Sequence, residues 1–161
     1  MNKWQDDLGV AMAQAKKVAV LGAGSVLCGD DAVGMIVAKK LKYLSPNHPR
    51  LLAMEGSTAP ENFTGLIRDF KPDLLLLVDA AYIDGEVGDI ALIAPEDIEG
   101  LNFSTHMLPF GVLCDYLKSE VNCHTIVIGI KPGTVDFGAS ASDTICCAAD
   151  ALVEKILTYL T

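Results

Sequence analysis

Short apolar runs alternate along this chain with stretches in which apolar residues recur at helical spacing, a pattern typical of α/β folds. Each short apolar run predicts a strand. The run Leu74–Val78 is apolar at every position and therefore predicts a strand buried on both faces of a parallel sheet. The predicted strands are Val18–Leu21, Leu51–Met54, Leu74–Val78, Asp89–Ala94 and Thr125–Ile130.

Helical spacing predicts helices between these strands and at both ends of the chain. The connection before the fourth strand is short and contains glycine, which favours antiparallel pairing with the neighbouring third strand. We therefore predict an α/β three-layer sandwich: a mostly parallel, twisted five-stranded sheet with one antiparallel edge strand and helices on both faces. The predicted helices span residues 4–16, Ala32–Leu44, Pro60–Phe70 and Met107–Ser119, with a helical turn at Pro95–Glu99 and a long C-terminal helix opened by Ser140 and Asp143.

The length of 161 residues predicts a single α/β domain over residues 1–161, in which residues 1–17 add an N-terminal helix of unassigned role. Hydrophobic residues make up 51% of the chain, yet no apolar run exceeds five residues. A membrane-spanning helix needs about twenty, so membrane insertion is not expected. The net charge of −9 disfavours nucleic acid, whose phosphates require Lys and Arg.

The N-terminal segment lacks the apolar region of a signal peptide, so we expect a cytoplasmic protein. Its five cysteines then read as free thiols. Cys146 and Cys147 fall within the C-terminal helical pattern, and we expect both to pack in the core.

Polar residues gather where the predicted strands end. Because ligands of open α/β sheets bind outside the carboxyl ends of the strands, these residues are the candidates for chemistry. They are Asp30 and Asp31 after the first strand, Glu55, Gly56, Ser57 and Thr58 after the second, Asp79 after the third, and His106 after the fourth.

A dinucleotide site is the first interpretation of these strand ends, since Gly22 and Gly24 follow the first strand. The third glycine of that fingerprint is replaced by Leu27. Asp30 and Asp31 would also repel a pyrophosphate at the next helix, although either could cap that helix instead.

A metal site is the second interpretation. Asp31, Asp79 and His106 would supply two oxygens and one nitrogen, a set suited to Ni²⁺, Zn²⁺, Mn²⁺ or Fe²⁺ with positions left open for substrate or water. Asp79 is the stronger candidate, because a carboxylate directly after five apolar residues is costly unless it has a partner. His48 and His124 are expected to be structural.

Hydrolysis by a nucleophilic side chain is the third interpretation. Ser25, Ser57 or Cys28 could act with His106 in principle. The sequence contains no G-x-S-x-G motif, and Cys28 has no neighbouring sequence signature of an activated thiol.

Five segments, in order, resemble the hydrogenase maturation proteases, and among them the subgroup that processes hydrogenase 3 of the formate hydrogenlyase type. The similarity extends over roughly residues 18–158. The matching segments are Val20–Gly34 (VLGAGSVLCGDDAVG), Glu55–Asn62 (EGSTAPEN), Leu77–Ala80 (LVDA), Ser104–Pro109 (STHMLP) and Ile128–Pro132 (IGIKP).

The resemblance implies an endopeptidase that removes the C-terminal extension of a nickel–iron hydrogenase large-subunit precursor after nickel insertion. It assigns the contacts to nickel, and the catalytic centre, to Asp31, Asp79 and His106. It also implies that the nickel arrives with the precursor, so no permanent cofactor is expected. The segment Glu55–Thr58 is expected to help position the peptide. The competing hypothesis is a non-catalytic metal- or nucleotide-binding α/β module.

Overall fold

A five-stranded sheet forms the centre of the computed structural model, which describes residues 2–98 and 110–161. Its strands are β1 (Val18–Ala23), β2 (Leu51–Ser57), β3 (Leu74–Ala80), β4 (Ile90–Ile93) and β5 (His124–Ile130). They lie in the order β2-β1-β3-β5-β4, and every neighbouring pair is parallel except β4 with β5. The predicted, mostly parallel sheet with one antiparallel edge strand is confirmed.

Helices cover both faces of this sheet, as predicted. They are α1 (Lys3–Ala13), α2 (Val33–Leu44), α3 (Thr64–Phe70), α4 (Phe110–Val121) and α5 (Asp143–Leu160), with 3₁₀ turns at Gly29–Ala32, Pro60–Phe63 and Pro95–Asp97. One apolar core joins α1, α2 and α5 to the sheet, and a second joins α3 and α4 to its other face. None of the helices in the described parts of the chain has the length and apolarity that crossing a bilayer requires.

The fourth strand differs from the prediction in its partner. Ile90 pairs with Ile130 of β5, so β5 lies between β4 and the predicted neighbour β3. The physical reason is burial. β5 is buried at every position after His124 and needs a strand on each side, whereas the mostly half-buried residues of β4 suit the edge of the sheet.

The N-terminal helix belongs to the core. Its predicted apolar residues Trp4, Leu8 and Met12 are all buried. The Arg50 guanidinium fastens its end by donating to the carbonyl oxygens of Lys16 and Ala15, at 2.9 and 3.1 Å. The end of this segment, residues 15–17, is thus held at the amino ends of the strands, opposite the predicted functional edge.

Several boundaries differ from the sequence prediction. The C-terminal helix begins at Asp143, and its cap is Ser142, whose Oγ accepts from the Ile145 N–H at 3.4 Å; the predicted opening at Ser140 is wrong. Cys147 is exposed and Cys146 half-buried, so the expectation that both pack in the core is also wrong. The helix begins at Asp143, so Ser140 lies outside it. Its buried face contains Ile145 and Ala149, and Cys146 and Cys147 lie beside that face.

Candidate active site

A crevice forms at the carboxyl ends of β1 and β3, because the chain leaves β1 toward β2 on one side and returns to β3 on the other. The connection through α2 lies on one face of the sheet and the connection through α3 on the opposite face. Such a reversal in strand order is where ligands bind in open α/β sheets. The structure therefore places the Asp31 loop and the Asp79 strand end on the two sides of one crevice.

Asp31 lies in the 3₁₀ turn after β1 and is buried. Its Oδ2 accepts a hydrogen bond from the Ser25 N–H at 2.9 Å. The sequence left open a capping role for this residue. The first residue of α2 is instead preceded by Ala32, and no side chain caps that helix. The Ser25 N–H already donates to this carboxylate and is not available to a phosphate. The negative charge of the carboxylate would also repel a phosphate, which argues against nucleotide binding.

Asp79 is the sixth residue of β3 and is fully buried. It continues the row of Leu75 and Leu77, which face the core beneath α3 and α4. The prediction placed Asp79 after the strand, but pairing with Gly129 keeps it inside the ladder. Its Oδ1 accepts from the Ala80 N–H at 2.8 Å, which fixes one oxygen of the carboxylate against the backbone.

Gly24 lies close to both Asp31 and Asp79. A Cβ placed on this residue would overlap the Asp31 carbonyl oxygen and lie 3.7 Å from Asp79 Oδ1. Its φ of +133° is a conformation that side-chain-bearing residues rarely adopt. The Gly24 N–H donates to the Ser57 carbonyl oxygen at 2.9 Å, which fixes the loop against β2. Gly24 thus contacts the Asp31 backbone and lies close to the Asp79 carboxylate, while the Asp31 carboxylate binds the N–H of the next residue, Ser25.

Asp30 has a different role from its neighbour. Its buried carboxylate accepts from the Gly133 N–H at 2.8 Å and from the Ser142 N–H at 2.7 Å. Its own N–H donates to the Thr134 carbonyl oxygen at 2.8 Å. Asp30 therefore joins the loop after β1 to the loop between β5 and α5, a role that the sequence analysis did not assign.

Replacing Asp30 with asparagine should lower the free energy of unfolding by about 2–4 kcal/mol. The NH₂ group of asparagine would then face the N–H of Gly133 or Ser142, which needs an acceptor. Chemical denaturation measures this change. Asp136→Asn, an exposed carboxylate in the joined loop, should stay within about 0.5 kcal/mol of the wild type. Equal stability of the two variants would show that Asp30 does not hold these loops together.

Most of the segment Glu55–Thr58 belongs to β2, which ends at Ser57 and not at the predicted Met54. The Glu55 carboxylate forms an ion pair with Lys42 of α2 at 3.1 Å. Ser57 adopts a left-handed φ of +53°, and its N–H donates to the Met35 sulfur at 3.1 Å. The backbone of Ser57 supports the Gly24 loop, and the expected role of the segment in positioning a peptide stays a prediction.

His106, the predicted third ligand, falls in residues 99–109, outside the described residues. So do the start of the predicted helix at Met107 and the last residue of the predicted turn, Glu99. Within the described residues, no three side chains of His, Cys, Asp or Glu cluster as a metal site. A metal site at Asp31 and Asp79 would need a further donor, and the set of three ligands stays a prediction.

The buried cysteines have the wrong protonation state for a nucleophile. Burial, with a smaller effect of Asp115, raises the pKa of Cys114 to about 11. Burial, followed by the charges of Asp73 and of Cys114, raises the pKa of Cys123 to about 12. Both remain thiols at neutral pH, and the thiolate is the reactive form. As for the serine candidates, the Ser25 hydroxyl accepts from the Leu27 N–H at 3.2 Å and so closes its own turn.

Comparison with known proteins gives a consistent result. The family model described as hydrogenase maturation protease matches residues 35–159, which include the positions of Asp79 and His106. The hydrogenase 3 maturation protease of Escherichia coli K12 is 31% identical over 85% of this chain and 86% of its own length. The crystal structure of the nickel–iron hydrogenase maturation protease HycI from Thermococcus kodakarensis KOD1 is 32% identical and superimposes with a TM-score of 0.88, covering 96% of this chain and 98% of that one.

The family match and the structural match agree with the resemblance carried by the five sequence segments. A match of this extent, with relatives above 30% identity over most of both chains, leaves no room for the competing non-catalytic module. This chain belongs to the hydrogenase maturation protease family and is a hydrogenase maturation endopeptidase.

Proposed function

We propose that this endopeptidase removes the C-terminal extension from the large-subunit precursor of a nickel–iron hydrogenase, and that it does so after nickel has been inserted. Asp31, Asp79 and His106 contact the nickel that the precursor carries. The observation that carries the proposal is the placement of two buried carboxylates at the sheet reversal: that of Asp79 lies beside Gly24, and that of Asp31 accepts from the N–H of the next residue, Ser25. Buried carboxylates of this kind are paired or bind cations in proteins.

The donor set fits a metal that arrives with its substrate. Two oxygens and one imidazole nitrogen leave positions open on a divalent ion, and ligands from the precursor occupy those positions. Nickel is therefore substrate here and not a resident cofactor. The negative charge around Gly24 attracts a cation and holds it next to the peptide that enters the crevice.

The chain's own groups support hydrolysis by water in two ways. A divalent ion polarises a carbonyl group or lowers the pKa of water, and Asp31 and Asp79 fix that ion. Alternatively, the Asp31 carboxylate accepts a proton from the attacking water, oriented for this by the Ser25 N–H. Neither route forms an acyl-enzyme. This agrees with the raised pKa values of Cys114 and Cys123, which keep both groups as neutral thiols.

Removal of metal from the protease tests the source of the nickel. Protein treated with a chelator, then freed of it, should cut nickel-loaded precursor at the rate of untreated protein, as measured by the mass of the large subunit over time. Loss of cleavage that added metal restores would show a resident metal instead. Failure of untreated protein to shorten the loaded precursor would contradict the function itself.

A further inference from the structure

Three large apolar side chains stand in solvent beside the candidate active site. Val26 is 63% exposed, Leu27 58% and Phe137 81%. Val26 and Leu27 form the tip of the loop after β1, and Phe137 lies in the loop between β5 and α5. We call these three residues the apolar rim. Contiguous exposed apolar surface in a folded protein marks a site of interaction.

The apolar rim is held in place by backbone hydrogen bonds. Leu27 is the third residue of a turn that the Cys28 N–H closes on the Ser25 carbonyl oxygen at 3.3 Å. The Gly138 N–H donates to the Leu27 carbonyl oxygen at 2.7 Å and so ties the Phe137 loop to this turn. The bonds that Asp30 accepts fasten the same two loops at their base. Holding these side chains in place beforehand reduces the entropy lost when a partner binds.

The apolar rim is continuous with the candidate active site. Ser25, which directly precedes Val26, donates its N–H to the Asp31 carboxylate at 2.9 Å. A protein substrate whose peptide reaches Asp31 therefore comes close to the turn that carries Val26 and Leu27. Segments 24–29 and 137–139 carry no charged side chain, although the exposed Asp136 directly precedes Phe137, so an apolar partner surface suits the three side chains themselves.

We propose that Val26, Leu27 and Phe137 dock the hydrogenase large-subunit precursor, by contact with an apolar surface of the precursor that borders the scissile bond. This inference rests on the proposed substrate, but it does not depend on nickel. The rim provides affinity for the precursor whether or not the metal is present, whereas Asp31 and Asp79 respond to the metal. Docking and nickel recognition are thus two separate contributions to binding.

Binding of nickel-free precursor, which is not cut in this account, measures docking alone. The dissociation constant should rise about tenfold or more for Phe137→Ser and for the double variant Val26→Ser/Leu27→Ser, equivalent to about 1.4 kcal/mol per tenfold. Tyr43→Ser, which removes an 82% exposed aromatic ring on α2, is the matched control and should bind like the wild type. Circular dichroism of each variant checks that the fold is retained.

Equal dissociation constants for wild type and rim variants would overturn the docking role, and so would a wild type that does not bind the nickel-free precursor. A concentration-dependent dimer that the rim variants abolish would also overturn it, because the rim would then bind a second copy of this chain. This experiment distinguishes a failure of docking from a failure of the proposed function. If nickel-loaded precursor is not cut, the affinity loss of the rim variants still supports docking, and if it is cut, equal affinities still refute docking.

Discussion

Replacing Asp79 with asparagine is expected to lower kcat/KM for nickel-loaded precursor by about a thousandfold or more, since a direct contact to a catalytic metal contributes several kcal/mol. The amide oxygen of asparagine can still accept from the Ala80 N–H, which Asp79 Oδ1 does at 2.8 Å. The substitution therefore removes the negative charge of the proposed nickel contact while the local backbone bond remains. Rates of shortening of the large subunit, followed by mass spectrometry, give the measurement.

The control for this prediction is Asp84→Asn, which removes an exposed carboxylate five positions further along the chain, in the loop after β3. It should process the precursor at the wild-type rate. His106→Ala should fail in the same way as Asp79→Asn, since it is expected to contact the same ion. Melting curves show whether each variant is folded. Normal processing by a folded Asp79→Asn or His106→Ala variant would remove the metal-site assignment.

Replacing Gly34 with alanine is expected to destabilise the fold by about 3 kcal/mol or more, because overpacking against backbone forces helix and sheet apart. Gly34 is the second residue of α2, and a Cβ there would overlap the carbonyl oxygens of Ala23 in β1 and of Val78 in β3. The Gly34 carbonyl in turn lies where a Cβ on Gly22 would be. Two glycines thus set the closest approach of α2 to the sheet.

Gly65→Ala is the matched control, because Gly65 is also the second residue of a helix, α3. A Cβ at that position would find its nearest described neighbour, the flexible Arg68 guanidinium, 4.0 Å away. Alanine there should be neutral or stabilise by up to about 1 kcal/mol. Thermal unfolding should show a melting temperature about 6–12 °C lower for Gly34→Ala only. Equal melting temperatures of the two variants would mean that α2 can move away from the sheet without cost.

The alternation of apolar runs and helical spacing was sufficient to predict the sheet, because strands buried on both faces must be apolar throughout. Leu74–Val78 illustrates this, since each of its residues is buried. The same run identified Asp79 as a candidate, because its carboxylate directly follows five apolar residues. Its place inside β3 depends on backbone pairing with Gly129 of β5, and side-chain patterning does not encode the length of that ladder.

Contacts between distant parts of the chain were beyond prediction from local patterns. Asp30 and Asp31 look equivalent in sequence, yet Asp30 binds Gly133 and Ser142, more than one hundred positions further along. Their separate roles arise only when the two loops meet. The position of β4 next to β5 has the same origin, since local connection length favours an antiparallel strand but does not select its partner.

Cleavage by this protease is proposed to require the nickel that its substrate carries, and one comparison tests this requirement. Wild-type protease is incubated with nickel-loaded and with nickel-free precursor prepared from the same protein, and the mass of the large subunit is followed over time. The account predicts that only the loaded precursor is shortened, by the mass of a C-terminal extension, and that adding nickel to the unloaded precursor before the protease restores cleavage. Equal shortening of the nickel-free precursor would contradict the account.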